Sequence, residues 1–127
     1  MAAVDVDKFA KHLRENAEDD SVSLCAQYVR EALEAGGGNT KGHPGHARLW
    51  GATLLRMGFR KLSVENLDTY KPLKGDIVVI QPFKGGHKSG HIAAFDGKVW
   101  ISDFVQRDFW GGPRYRRHKP PHVFYRP

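Results

Sequence analysis

One thiol and one late histidine are the residues of this sequence best suited to covalent chemistry. Cys25 is the only cysteine, so it has no partner for an internal disulfide and is structural, regulatory or catalytic. A thiol is an effective nucleophile as its thiolate, and the first turn of a helix favours that form, because unpaired N–H groups and the helix dipole stabilise negative charge there. Tyr28, Val29, Ala32 and Leu33 follow Cys25 at helical spacing and place it in such a turn. A nucleophile of this kind needs a base held within hydrogen-bond reach. His91, directly after Gly90 and opening an apolar run, is the candidate. Asp103 is the candidate third member: a two-residue turn at Asp96-Gly97 sets residue 91 near residue 102, and a carboxylate there can accept from the second ring nitrogen and fix the tautomer. A single bulge would exchange Ser102 and Asp103 between the faces of the strand.

The elements that must position these groups can be read from periodicity. Val6, Phe9, Ala10, Leu13 and Ala17 recur at three- and four-residue intervals and predict an amphipathic helix over 6–17. A second helix is expected over 24–35, capped by Ser21 or Ser23 and ended by Gly36 to Gly38. A third over 46–57 follows from Ala47, Trp50, Leu54 and Leu55, with Gly58 as its stop. Period-two runs then predict strands at 76–81, 91–95, 99–105 and 122–125. Helices first and antiparallel strands afterwards make one α+β domain over residues 1–127, with no internal repeat.

Three short motifs extend this reading. Cys25-Ala26-Gln27-Tyr28-Val29 at a helix start, Lys74-Gly75-Asp76-Ile77-Val78-Val79-Ile80 opening the sheet and Gly90-His91-Ile92-Ala93 on the next strand resemble, in order and spacing, the CHAP amidases and their NlpC-type relatives in the papain-like superfamily. The resemblance implies a papain-like fold and a cysteine hydrolase, with Cys25 as nucleophile, His91 as base and Asp103 as the polar orienting residue. It also implies, as substrate, peptide bonds of bacterial peptidoglycan or, as in other papain-like members, of proteins. The sequence departs from papain in lacking an obvious glutamine before Cys25 to complete the oxyanion hole, so the N–H groups of Cys25 and Ala26 are expected to supply part of it.

Composition bounds the remaining functions. With 40% apolar and 27% charged residues the chain matches an ordinary globular domain, which excludes disordered and fibrous classes. No apolar stretch, Ile77 to Ile80 included, approaches the ~20 residues of a membrane span. Asp5, Asp7 and Lys8 stand where a signal peptide would be basic and then apolar, so delivery by a secretion system or by lysis is expected. His43, His46, His87 and His91 have spacings that can bind zinc, but they lie in glycine-rich loops without a second cysteine or carboxylate partner, and no metal or cofactor is expected.

The net charge of +6 favours anionic partners. Arg107, Arg114, Arg116, Arg117, Lys119 and Arg126, interleaved with Phe109, Trp110, Tyr115 and Tyr125, suit a basic rim for an anionic substrate or an inhibitor. A basic nucleic-acid-binding module is the competing class, disfavoured because no nucleic-acid fold accompanies the charge. A toxin of the hydrolase kind, directed at the wall or at intracellular proteins of a target bacterium, requires a cognate immunity protein in its producer.

Overall fold

The structure, a computed structural model, describes residues 4–127. The first helix, α1 (Val6–Asn16), starts at Asp5, whose side chain accepts from the Lys8 N–H at 3.1 Å, and buries Phe9, Ala10 and Leu13. The second, α2 (Cys25–Ala35), buries Val29, Ala32 and Leu33 against α1 and the sheet. It stops at Gly36, and Gly37 follows in the left-handed region at φ 86°. The third helical segment is split: a 3-10 turn at Ala47–Leu49 runs into α3 (Trp50–Arg56).

Among the described residues, five strands form a single antiparallel sheet: β1 (Arg60–Lys61), β2 (Ile77–Ile80), β3 (His91–Phe95), β4 (Trp100–Ile101) and β5 (His122–Arg126), in the order β1-β5-β2-β3-β4. A fourth helix, α4 (Pro113–His118), precedes β5. Alternation along the central strands divides the core. Ile77, Val79, Ile92 and Ala94 face the helices, while Val78, Ile80 and Ala93 meet a layer built on Trp100, Trp110 and Phe124. Both faces of β2 are thus dry, which is why its four residues are all apolar and all buried. The α+β expectation and three of the four expected strands correspond to observed elements; β1 and α4 carry too short a pattern to be read in advance.

The expected strand over 99–105 is where the structure differs most. The turn after β3 occupies four residues, since Phe95 pairs with Trp100 and the Asp96 carboxylate accepts from the N–H groups of Lys98 and Val99 at 2.8 Å each. Strand β4 ends at Ile101, and the chain reverses there: Ile101 bridges Val105, and the Ser102 N–H donates to the Phe104 carbonyl at 3.0 Å. Asp103 therefore sits at the apex of a tight bend instead of on a strand. Gln106 returns alongside β4, its N–H donating to the Trp100 carbonyl at 2.8 Å.

Candidate active site

A cavity of about 330 Å³ opens where the start of α2 meets the start of β3, and Cys25, His91, Asp103 and Tyr115 all line it. The three residues singled out from the sequence thus share one cavity. Their hydrogen bonds give Asp103 and His91 partners other than each other.

Cys25 is half-buried at the first position of α2. Its sulfur lies against the open edge of the sheet. On β3 the Phe95 N–H turns toward β2, donating to Asp76 at 2.8 Å, so the alternating Ile92 N–H turns to the other side, where β4 has already ended. That N–H acts on the thiol, as do those of Ala26 and Cys25 itself. They do not prevail: burial pushes the Cys25 thiol up to about 11, opposed by the Ile92 N–H and aided by the Asp103 carboxylate. The helix start was expected to lower this pKa, and desolvation outweighs it. At neutral pH the resting sulfur carries its proton.

His91 is oriented by Gln106, a residue the sequence reading missed. The Gln106 amide nitrogen donates to the carbonyls of Asp108 at 2.9 Å and Phe109 at 3.4 Å, which turns its oxygen toward His91. The imidazole Nε2 meets that oxygen at 2.6 Å. An amide oxygen only accepts, so Nε2 bears the hydrogen and Nδ1 carries the free lone pair. Burial lowers the His91 pKa from its ordinary value, against the opposing pull of Gln106 and of the Asp103 charge. The resting ring is neutral and ready to accept a proton. Gly111, at φ 84°, covers this pair; a β-carbon there would lie 2.6 Å from His91 Nε2.

The expected contact between Asp103 and His91 is therefore replaced by the Gln106 contact. The physical reason is the reversal at Ile101, which takes Asp103 off the strand and carries Gln106 back to the ring. Asp103 instead accepts from the N–H groups of Val22 at 2.7 Å and Leu24 at 3.2 Å, and from the Ser102 hydroxyl at 3.0 Å. Those two N–H groups flank Ser23, whose φ of 62° is uncommon for a residue with a side chain. The carboxylate thus holds the elbow that leads into α2, the part assigned from sequence to Ser21 or Ser23; Leu24 holds the cap position with no side-chain bond. The signal for this was present in Ser102-Asp103, a pair that favours turns over strand.

The other histidines are dispersed. His43 stacks on Trp50 with ring centroids 5.7 Å apart, His46 Nδ1 meets the Ser89 hydroxyl at 2.7 Å, and His87 Nδ1 accepts from the Ser89 N–H at 3.2 Å. Among the described residues no group of three or more such side chains gathers to hold a metal. The basic C-terminal series is divided. Arg116 pairs with Asp108 at 2.7 Å and Arg126 with Asp76 at 2.8 Å, whereas Arg114 lies over the Phe83 ring at 4.9 Å beside the cavity. Trp50, Trp100 and Trp110 are all buried.

Fold and site together define an α+β domain with a half-buried Cys and His on one cavity, and comparison with known proteins places it further. No family model and no curated protein matches the sequence. Two solved structures do. The native type VI effector–immunity complex Tae3–Tai3 from Ralstonia pickettii contains a chain 41% identical, with a TM-score of 0.84, over 95% of this chain and 97% of that one. The selenomethionine form of that complex gives 41% identity and a TM-score of 0.82 over 94% and 99%. This chain belongs to the Tae3 family of type VI effectors. No helix among its described residues is long and apolar enough to cross a membrane.

Proposed function

We propose that this chain is an antibacterial toxin that hydrolyses peptide amide bonds of bacterial peptidoglycan, as a papain-like cysteine amidase of the CHAP and NlpC type. The observation that carries the reading is the neutral His91, its Nδ1 left free by Gln106, on the same cavity as a protonated Cys25. Membership of an effector family solved with an immunity protein supports the toxin role, and a cognate immunity protein is the partner it implies. Delivery through a type VI system follows from the same relatives.

In this reading His91 Nδ1 takes the Cys25 proton as the sulfur adds to the carbonyl carbon, and the π pair moves to oxygen. The N–H groups of Cys25 and Ala26 hold the oxyanion. Collapse breaks the C–N bond, with the imidazolium giving its proton to the departing amine. Water, activated by His91, then cleaves the thioester. Asp103 acts by positioning the elbow before Cys25, and Gln106 by holding the tautomer.

A protein-cleaving toxin with the same pair of residues is the second reading. Gly45, Ala47 and Gly90 line the cavity with small residues that admit an extended polypeptide of either origin. Expression of the domain in the periplasm and, separately, in the cytoplasm of a susceptible bacterium distinguishes them. Wall hydrolysis predicts lysis only from the periplasm, with soluble muropeptides released, and loss of both in Cys25→Ala. Toxicity confined to the cytoplasm favours the second reading, and undiminished lysis by Cys25→Ala removes both.

A further inference from the structure

Three buried side-chain polar atoms have no hydrogen-bond partner among the described residues: His12 Nδ1, Trp50 Nε1 and the Tyr115 hydroxyl. Leaving a buried hydroxyl unpaired carries an uncompensated desolvation cost, so its persistence calls for a reason. Of these three residues, only Tyr115 lines the cavity that holds Cys25 and His91. It also lines the adjoining recess with His91 and Gly111.

Resting on the amidase reading above, we infer that Tyr115 is a catalytic residue whose hydroxyl donates to the oxyanion formed when Cys25 adds to the scissile carbonyl. Four observations converge on that assignment. The ring is held beside His91, with centroids 5.8 Å apart, and by an edge contact to Phe83 at 4.9 Å. Burial, and to a lesser extent the neighbouring Cys25 sulfur, which lines the same cavity, push the Tyr115 hydroxyl up to about 12. The hydroxyl therefore keeps its proton throughout the neutral range and is a donor. Finally, the stretch before Cys25 offers no glutamine to complete an oxyanion hole, and residues 21–24 are occupied in the elbow held by Asp103.

The chemistry balances without a further reagent. As the sulfur–carbon bond forms, the carbonyl π pair moves onto oxygen, and the Tyr115 O–H strengthens its hydrogen bond to that oxygen without giving up the proton. When the C–N bond breaks the pair returns, and the proton carried away by the amine is the one His91 took from Cys25.

Tyr115→Phe tests this, since it keeps the ring contacts and deletes only the unpaired hydroxyl. Four measurements on the full chain are compared with wild type: turnover of purified peptidoglycan, affinity for a short peptide aldehyde with methyl side chains, which Cys25 traps as a hemithioacetal, the rate of Cys25 alkylation by iodoacetamide, and the melting temperature. Loss of one oxyanion donor is expected to lower kcat on the order of 100-fold with little change in KM. Aldehyde affinity is expected to fall by a comparable factor, alkylation to stay within about twofold, and the melting temperature to hold or rise because an unsatisfied group is gone. Equal turnover and equal aldehyde affinity would overturn the role of Tyr115 while leaving the amidase intact. A lower melting temperature with unchanged chemistry would make the residue structural. A wild type that neither digests peptidoglycan nor traps the aldehyde would overturn the amidase and Tyr115 together.

Discussion

Asp76 and Asp103 are both fully buried carboxylates, one at each end of the central sheet, and they are satisfied in different ways. Asp76 meets Arg126 through two 2.8 Å contacts, the Tyr70 hydroxyl at 2.8 Å and the Leu73 N–H at 2.9 Å, so its charge is cancelled by a cation and every neighbour is paired. Asp103 has only neutral donors: two backbone N–H groups and a serine hydroxyl. Its charge is left to act on its surroundings: it adds to the burial that raises the Cys25 thiol and partly offsets the burial that lowers His91. Where polar groups are fully paired the fold is being held. Where a charge stays uncompensated next to a protonated thiol, a lone pair and an unpaired hydroxyl, groups are available for chemistry.

Five substitutions, at four positions, break or sharpen this contrast. His91→Ala removes the base, and general acid–base catalysis of this kind is worth up to roughly 10⁴-fold, so turnover should fall about 1000-fold while the melting temperature stays close to wild type. Arg126→Met should do the reverse. It strands Asp76 and is expected to cost about 3–5 kcal/mol of stability in chemical denaturation, with kcat per folded molecule unchanged. If both substitutions harmed activity and stability alike, the two ends of the sheet would not be separable.

Asp103→Ala leaves the Val22 and Leu24 N–H groups without their acceptor and should destabilise the fold by about 2 kcal/mol. Asp103→Asn keeps an acceptor but removes the charge that raises the thiol. Cys25 should then be alkylated faster at neutral pH than in wild type, whereas an orienting role on His91 predicts instead a large loss of turnover.

The smallest effect is a shift in pH profile. Activity requires neutral His91, whose pKa lies below its ordinary value, so the acid limb of kcat/KM should sit below pH 6.5. Gln106→Glu places a carboxylate against Nε2, favours the imidazolium and should move that limb upward by roughly one unit. An unmoved limb would dissociate Gln106 from the ring.

How much of this was legible in advance depended on whether the determinants were local. The helix beginning at Cys25 and the strands at 77–80, 91–95 and 122–126 follow from residue periodicity, and they bring Cys25 and His91 to one cavity. The third polar partner did not follow. Extending the strand past Ile101 was the natural reading of Val99 to Val105, yet the longer Asp96 turn and the reversal at residues 102–104 exchanged Asp103 for Gln106. Tyr115 was noted only as one aromatic among arginines. Its place beside Cys25 comes from α4 folding back over the start of β3, an arrangement no short window of sequence encodes.

The central claim is that the Cys25 sulfur adds to an amide carbonyl with His91 taking its proton. Acid quenching of wild type during turnover of peptidoglycan fragments, followed by peptide mass spectrometry, tests it most directly. The account predicts a transient acyl adduct on the peptide carrying Cys25, present in wild type and absent in His91→Ala. Fragment hydrolysis that proceeds in Cys25→Ala with no adduct on any residue would contradict it.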